Sequence, residues 1–377
     1  MISDTTNKRV VVKIGSTSLT SQHGQISRRK LEKLVDEVVR LKDNGHEVLL
    51  VSSGAVAAGY RKLGFLQRPT ALIEKQAAAS IGQGLLMEAY SELFLSHGYV
   101  ASQILITRDD FSAEDRYNNV RNTINILLER GIVPIINEND TVAINQLKFG
   151  DNDTLSAKVA GLVDADMLII LSDIDGLYDA DPRKHPHAKR FERIYNITPD
   201  IEQAAGAAGS AIGTGGMKSK IDAFKIAIAS GIPSFLGKAS TPDILYDAVY
   251  QKAIGTYFEV TTSAMNLNLK KQWIAFNSGP RGEVIVDMRA KNAIMKKKGS
   301  LFLPHIQKVK GRFNHGEVVK ITDSNDETIG LGVVNYSSEK LLELQNLPQA
   351  KLAAHQKPIV DSEQLVCQLH ISVPINL

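Results

Sequence analysis

Two lysines stand in surroundings that suit anion binding. Lys13 interrupts the apolar run Arg9–Ile14, and Lys220 follows a glycine-rich stretch at the start of a predicted helix. A buried, unpaired ammonium is costly, so Lys13 must either extend to the end of its strand or face an anion. Glycines that lead into a helix N-terminus bind phosphate through backbone N–H groups. The two lysines therefore predict a site where phosphate oxygens are neutralised.

Acidic and amide side chains are concentrated in a second region, between Ile136 and Ala160. The segments Ile136–Thr141 and Phe149–Thr154 together carry four carboxylates and three asparagines. Such residues commonly occupy turns and helix caps, but a turn or cap in each of the two segments does not need so many of them. Asp151, Asp153 and Asp173 could orient the lysines or hold Mg²⁺, and this combination indicates phosphoryl transfer. The alternative is that each lysine is an exposed strand-edge or helix residue.

Alternating strands and helices would position these residues. The predicted strands are Arg9–Ile14, Glu47–Val51, Val100–Ile106, Ile132–Asn137, Asp166–Leu171 and Ile232–Leu236. The predicted helices include Leu31–Val39, Thr70–Ser96, Tyr117–Arg130, Thr154–Val163 and Met217–Ser230. This alternation predicts an α/β fold with a mainly parallel sheet sandwiched by helices. Ligands bind such sheets outside the carboxyl ends of the strands, where the polar residues lie.

Length and composition bound the organisation of the chain. Its 377 residues predict at least two domains, and a formal charge of +3 implies neither a nucleic-acid nor a membrane partner. A change of composition divides the chain into an α/β domain at residues 1–262, a linker at 263–271 and a small β-barrel-like domain at 272–377. The single cysteine, the polar N-terminus and the lack of a long apolar run predict a cytoplasmic protein with no membrane contact.

Common nucleotide-binding motifs are missing from the sequence. No segment fits the Walker A spacing, and Gly213–Lys218 lacks the third glycine of the dinucleotide fingerprint. A glycine-rich loop alone would bind phosphate or serve as a flexible connector. Lys218 and Lys220 favour phosphate, because they add positive charge to a helix end of the same sign.

An ordered set of motifs nevertheless resembles one known family. The set comprises Val11–Gly15, Ser52–Ala55, Ile136–Ala143, Gly150–Asp153, Leu171–Asp173, Gly176–Tyr178, and Gly213–Met217 with Lys220. It resembles the glutamate 5-kinases of the amino acid kinase family over about Arg9–Val260. The C-terminal part resembles a PUA domain through Trp273–Ile274, Gly282–Asp287, Gly311–Val318 and Tyr336–Ser338.

The resemblance implies the amino acid kinase fold and transfer of the ATP γ-phosphate to the γ-carboxylate of L-glutamate, for proline biosynthesis. The implied catalytic residues are Lys13, Lys220 and Asp153. The implied glutamate-binding residues are Ser53, Gly54, Asn137, Asp140 and Asn152, with Asp140 pairing with the α-ammonium. The implied nucleotide-binding residues are Lys13, Ser172, Asp173, Thr214, Gly215, Gly216, Met217, Lys218, Ser219 and Lys220. A carboxylate acceptor is already ionised at neutral pH, so no general base is required.

The same resemblance implies ATP and Mg²⁺ as cofactors, a homo-oligomer (dimer or tetramer), and proline as a feedback inhibitor. It also implies RNA contact through the PUA domain, but glycines expected near Arg289 and His305 are absent. Two other functions remain open. One is a kinase of the same fold for another carboxylate or a carbamate, and the other is an RNA-binding protein with a vestigial kinase domain.

Overall fold

The computed structural model describes residues 7–21, 25–143, 152–207, 216–261, 267–296, 299–346 and 357–367. The chain forms two compact units. The first comprises Met1–Asp110 and Asp115–Ala264, and the second comprises Phe111–Glu114 and Met265–Leu377. The domain boundaries drawn from composition, at residues 262, 263–271 and 272, stay a prediction.

The first unit is built on a mostly parallel β-sheet. Its strands are β1 (Arg9–Ile14), β2 (Glu47–Val51), β3 (Ala101–Ile106), β4 (Val133–Glu138), β5 (Met167–Ser172), β6 (Arg193–Ile194), β7 (Ser234–Lys238) and β8 (Thr256–Phe258). Within the described residues they form one sheet in the order β3-β4-β2-β1-β5-β7-β8-β6. β1 to β5 and β7 are parallel, and β8 pairs antiparallel with β7. The predicted, mainly parallel sheet is confirmed.

One expectation about this sheet is wrong. The sequence predicts Ile232–Leu236 as the last strand of this sheet, but β8 follows β7 and joins the sheet, with the two-residue β6 alongside it. Both added strands are too short to show the repeated alternation from which strands are recognised. β8 is buried throughout, and the Phe258 ring stacks on Phe224 with centroids 3.9 Å apart.

Helices connect the strands. They are α1 (Ser16–Leu19), α2 (Arg28–Asp43), α3 (Ala55–Gly59), α4 (Leu72–Ser96), α5 (Arg108–Ser112), α6 (Glu114–Glu129), α7 (Asn152–Leu162), α8 (Pro199–Ala207), α9 (Met217–Ala229) and α10 (Ile244–Val249). α2 buries the apolar stripe predicted for it, from Leu31 to Val39. α7 is buried along most of its length, so its first residues are held firmly at the edge of the sheet. No helix in the described residues has the length and apolar character needed to cross a bilayer.

The order of the strands defines where a ligand would bind. β1 lies between β2 and β5, and the chain leaves β1 towards β2 but leaves β5 towards β7, on the other side. Such a reversal opens a crevice at the carboxyl ends of the two central strands. Lys13 lies near the end of β1 and Ser172 ends β5. The polar residues singled out from the sequence therefore surround the strand-order reversal.

α3 and α4 approach each other at two glycines. A Cβ atom added at Gly59 would lie 1.9 Å from the backbone oxygen of Ala78, and one added at Gly82 would lie 1.8 Å from that of Ala55. Neither backbone oxygen can move without shifting its helix. This close packing fixes α3, and with it the turn at the end of β2 that precedes α3.

We expect Gly82→Ala to lower the free energy of unfolding by about 1–3 kcal/mol, because the methyl group forces the helices apart. Gly84→Ala is the matched control on α4, since its Cβ would meet nothing within 4 Å. Replacing a glycine inside a helix by alanine stabilises it by roughly 0.5–1 kcal/mol. Urea unfolding of both variants measures the difference, and equal stabilities would contradict the close packing.

The second unit contains its own sheet and core. Its strands are β9 (Gly282–Val286), β10 (Ile306–Gly311), β11 (Val318–Thr322), β12 (Thr328–Val334) and β13 (Val360–Cys367). Among the described residues they form one sheet in the order β10-β9-β11-β12-β13, antiparallel except for the β9–β11 pair. The helices α11 (Leu269–Gln272), α12 (Met288–Met295) and α13 (Ser338–Gln345) complete it. The predicted second, β-rich domain is confirmed.

The short apolar run Trp273–Phe276 opens the β-like part of the sequence and predicts a strand, but this prediction is wrong. Trp273–Asn277 form a wide helical turn that continues directly from α11. All five of these residues are buried. A short apolar run that is buried on every side does not reveal its period, and the pattern alone could not separate strand from helix.

Candidate active site

The centre of the site is the carboxylate of Asp153, which lies between two buried lysines. Its Oδ1 is 2.6 Å from Lys13 Nζ, and its Oδ2 is 3.0 Å from Lys220 Nζ. Asp153 is fully buried, and each lysine is 7% exposed. β1 supplies Lys13, the first turn of α7 supplies Asp153 and the first turn of α9 supplies Lys220. The structure thus brings together the three residues predicted to be catalytic.

The charges of this trio do not cancel. Burial by itself would raise the pKa of Asp153, but attraction to the ammonium groups of Lys13 and Lys220 outweighs it and holds the pKa below its usual range. Ser219 Oγ adds a hydrogen bond to Asp153 Oδ2 at 3.0 Å. Asp153 is therefore ionised at neutral pH, and two cations share one anion. The excess positive charge suits an anionic ligand.

Asn152, the neighbour of Asp153, joins the ends of two strands. Its Nδ2 lies 2.6 Å from the backbone oxygen of Ser52, 2.9 Å from Ser53 Oγ and 2.9 Å from Asn137 Oδ1. Ser52 and Ser53 follow β2, whereas Asn137 is the penultimate residue of β4. The structure therefore brings together three of the residues predicted to bind glutamate, next to the lysine pair.

Gly54 completes this side of the site at the turn between β2 and α3. Its φ is +101°, a left-handed conformation that residues with a Cβ rarely adopt. The turn begins where Ser52 N donates to the Ile136 oxygen at 2.9 Å. Ser53 and Gly54 remain partly exposed, so both can reach a ligand. Asp140 lies in the turn after β4 and is also partly buried.

Ser172 and Asp173, two of the residues predicted to bind nucleotide, lie at the end of β5, on the other side of the strand-order reversal. Ser172 ends β5, and its hydroxyl donates to Asp173 Oδ1 at 3.0 Å. Asp173 is exposed, as is Lys218 on the first turn of α9. Gly216 and Met217 begin that helix and are partly exposed. Thr214 and Gly215 lie outside the described residues.

Magnesium does not fit Asp153. Both of its oxygens are engaged by ammonium groups, which a divalent cation would have to displace. Asp173 is an exposed carboxylate that fits a cation better. Asp151, the third acidic candidate, lies outside the described residues. Among the residues that the structure describes, no group of three His, Cys, Asp or Glu side chains could hold a metal ion.

Two further polar residues contact the site, and neither is among the residues predicted from the sequence. Gln83 Oε1 accepts a hydrogen bond from Asn137 Nδ2 at 2.9 Å, and Tyr90 Oη lies 3.1 Å from Ser52 Oγ. Both belong to α4, in a region whose contacts the sequence left undefined. Their spacing of seven residues, which places two side chains on one helix face, was the available signal.

Two lysines of the second unit contact acidic side chains. Lys310 Nζ lies 3.4 Å from Glu283 Oε2 and 3.2 Å from Asp326 Oδ1. Lys291 Nζ lies 2.7 Å from Asp323 Oδ2 and also pairs with Glu327. Lys308 is exposed, and residues 297–298 lie outside the described part of the chain. These pairs reduce the positive field that an RNA phosphate backbone would meet.

Comparison with known proteins agrees with this architecture. Residues 8–238 match the amino acid kinase family, and residues 282–355 match the PUA domain. The chain is 65% identical over 376 residues to Glutamate 5-kinase 2 of Bacillus subtilis (strain 168), covering 100% of both proteins. It is 45% identical to Glutamate 5-kinase of Halalkalibacterium halodurans, covering 96% of this chain and 97% of that protein.

A solved structure shares the fold of the first unit. Carbamate kinase from Giardia lamblia bound to AMP-PNP superposes with a TM-score of 0.50 at 16% identity, covering 67% of this chain and 99% of that one. The two full-length relatives are far more similar in sequence. The chain therefore belongs to the amino acid kinase family, and within it to the glutamate 5-kinases that carry a C-terminal PUA domain.

Proposed function

We propose that the chain transfers the γ-phosphate of ATP to the γ-carboxylate of L-glutamate, giving γ-glutamyl phosphate and ADP in the first step of proline biosynthesis. The observation that carries the proposal is the buried Lys13–Asp153–Lys220 trio beside the Asn152–Asn137–Ser53 cluster. The first group suits a transferring phosphoryl group, and the second suits an amino acid. The names of the full-length relatives agree with this assignment.

The reaction brings two anions together. A glutamate carboxylate oxygen forms the new bond to phosphorus, and the bond to the bridging oxygen of ADP breaks. No proton needs to be removed from the acceptor at neutral pH. The protein must therefore neutralise charge, which preorganised ammonium groups in a water-poor site do effectively. Lys13 and Lys220 would contact the phosphate oxygens while Asp153 holds them in place.

The amide cluster would hold the amino acid. Asn152 and Asn137 are fixed by hydrogen bonds to each other and to the ends of β2 and β4. Ser53 presents a hydroxyl, and Asp140 presents a carboxylate for the α-ammonium group. These groups provide hydrogen bonds for both ends of glutamate without a catalytic base.

ATP would bind on the other side of the lysines. Ser172, Asp173 and the segment from Thr214 to Lys220 are the residues assigned to it. Mg²⁺ would be held chiefly by phosphate oxygens and water, with Asp173 as the available carboxylate, as is usual for this ion. When bound, the ion would neutralise the phosphate charge that the two lysines do not compensate.

We also propose proline inhibition, a homo-oligomer and a cytoplasmic location. Proline carries the same α-carboxylate and a similar ammonium group, so it would compete for the groups assigned to glutamate. RNA contact through the PUA domain receives no support from the paired lysines described above. A vestigial kinase domain is disfavoured, because the Lys13–Asp153–Lys220 trio is fully assembled.

A screen of acceptors tests the proposed reaction. ADP release is measured with Mg-ATP and L-glutamate, L-aspartate, N-acetyl-L-glutamate or carbamate. We expect turnover with L-glutamate and a loss of at least about tenfold in kcat/KM with N-acetyl-L-glutamate, which cannot pair as an ammonium with Asp140. Preference for carbamate would favour a different kinase of the same fold. ATP-independent, salt-sensitive RNA binding without turnover would instead favour the RNA-binding alternative.

A further inference from the structure

One face of α4 contacts the proposed glutamate pocket at three places. Gln76 Nε2 donates to the backbone oxygen of Ala143 at 3.2 Å, and Gln83 Oε1 accepts from Asn137 Nδ2 at 2.9 Å. Tyr90 Oη lies 3.1 Å from Ser52 Oγ. Positions 76, 83 and 90 follow one another at intervals of seven residues. Seven residues are nearly two helical turns, so the three side chains lie in one row.

The three contacts reach different parts of the pocket. Asn137 lies near the end of β4, and Ala143 lies at the far end of the turn that follows β4 and contains Asp140. This turn is closed internally by Ala143 N, which donates to the Asn139 oxygen at 3.0 Å. Ser52 precedes the Ser53–Gly54 turn at the end of β2. One rigid helix therefore holds both turns that supply the proposed glutamate ligands.

The contact at Gln83 also determines which way the Asn137 amide points. The backbone N–H of Glu138 donates to Asn137 Oδ1 at 2.9 Å, and Asn152 Nδ2 donates to the same oxygen at 2.9 Å. A backbone N–H can only donate, so the oxygen of Asn137 must face it. The Asn137 amino group consequently faces Gln83, whose carbonyl oxygen accepts its hydrogen.

Burial makes this orientation consequential. Asn137 is 2% exposed and Gln83 is 9% exposed. A buried amino group without an acceptor is unfavourable, so losing the Gln83 oxygen would drive Asn137 to rotate or shift. Rotation would turn its amino group towards that of Asn152, and two donors cannot bond to each other. Asn152 would then lose a contact that places it beside the ligand.

We propose that the Gln76–Gln83–Tyr90 face of α4 is the positioning element of the glutamate pocket, with Gln83 setting the orientation of Asn137 and, through it, of Asn152. The inference rests on the proposed function, because it assigns glutamate to this pocket. It adds a helix face outside the residues assigned to the ligand, and this face positions those residues. Gln83 acts here through Asn137 and is a positioning residue.

Gln83→Met tests the proposal, since methionine has a similar length and no carbonyl oxygen. We expect the KM for glutamate to rise about tenfold or more, because the variant leaves the buried amino group of Asn137 without a hydrogen-bond acceptor. The KM for ATP should stay within about twofold, because Asn137 lies on the glutamate side of the site. Ser80→Ala is the control on α4. Its hydroxyl bonds to the Ala77 oxygen within the helix, so both KM values should stay unchanged.

A double-variant cycle separates positioning from general destabilisation. If Gln83 acts through Asn137, adding Gln83→Met to Asn137→Ala should change glutamate affinity by less than about twofold, because coupled neighbours are not additive. Calorimetry with glutamate supplies the affinity where turnover is too slow. Independent, multiplicative losses in the two variants would overturn the proposal.

Gln76→Met provides a second test that does not depend on a buried residue. Gln76 is only partly buried, so this variant should remain folded and still raise the KM for glutamate about threefold or more by loosening the end of the turn. The unaltered protein is assayed first. Absence of glutamate-dependent turnover there would refute the proposed function. Normal turnover with unchanged glutamate KM in both glutamine variants would refute the positioning role alone.

Discussion

Replacing Lys220 by methionine should lower kcat by about a hundredfold to a thousandfold, while the KM for glutamate stays within a few fold. Removing one preorganised donor from developing transition-state charge typically has an effect of this size. Lys220 is 7% exposed and ion-paired with Asp153, so water cannot readily replace it. Steady-state kinetics with both substrates varied measures the change.

Lys225→Met is the matched control for this experiment. Lys225 lies on the same helix and is 5% exposed, but its ammonium group pairs with Glu202 at 2.5 Å and not with Asp153. The two variants lose the same chemical group from equally buried positions. We expect Lys225→Met to lower thermal stability and to change kcat only a few fold.

Lys13→Met should resemble Lys220→Met, because both lysines hold the same carboxylate. The double variant should be less impaired than the product of the single losses, since residues that act as one unit are not additive. Normal kcat in Lys220→Met, or an equal loss in Lys225→Met, would show that the trio does not carry the reaction.

The trio was accessible from sequence because its members break local rules. Lys13 interrupts a buried strand, and Lys220 follows glycines at a helix start. Both exceptions are visible in a few neighbouring residues. The sequence could not show that both lysines pair with Asp153, because that carboxylate comes from a helix more than a hundred residues after β1. Strand order, which brings β1 beside β5, decides this contact.

The polar face of α4 was hidden for a different reason. α4 is rich in alanine and apolar residues all round, and it packs through Gly82 as well as through larger side chains. Its polar residues therefore form no obvious stripe. Gln83 has meaning only once Asn137 is known to lie beside it. Long-range partners of this kind follow from tertiary packing, whereas the local sequence pattern predicts only helices and strands.

Replacing Asp153 by asparagine should lower the free energy of unfolding by about 3–5 kcal/mol at pH 7, the usual effect of breaking a buried ion pair by removing one partner. The change leaves the ammonium groups of Lys13 and Lys220 buried without their shared carboxylate. Asparagine has the same shape and volume as aspartate, so the loss of stability measures the effect of removing the negative charge. Turnover should also fall sharply, because the lysines lose the group that holds them. Urea unfolding and steady-state kinetics measure the two effects.

The stability difference should depend on pH in a defined direction. The pKa of Asp153 is held below its usual range in the folded protein, despite burial, by its two ammonium partners. A carboxylate whose pKa is lower in the folded than in the unfolded protein stabilises the folded state. This stabilisation is complete above the unfolded-state pKa of about 3.9 and is lost as the pH falls through the folded-state pKa. The gap between the unaltered protein and Asp153→Asn should therefore be constant from neutral pH to about pH 5 and should narrow below about pH 4.

Asp181→Asn distinguishes this effect from the simple loss of a buried carboxylate. Asp181 is 4% exposed, but its cationic partner, Arg183, has a side chain that is 58% exposed. Water can solvate Arg183 once the carboxylate is gone, so this variant should lose only about 0–1 kcal/mol of stability. Equal losses of stability in the two variants would mean that the unpaired lysines are not the main cause of the loss in Asp153→Asn. A much larger loss in Asp153→Asn would show that Asp153 keeps two cations buried beside the proposed glutamate pocket.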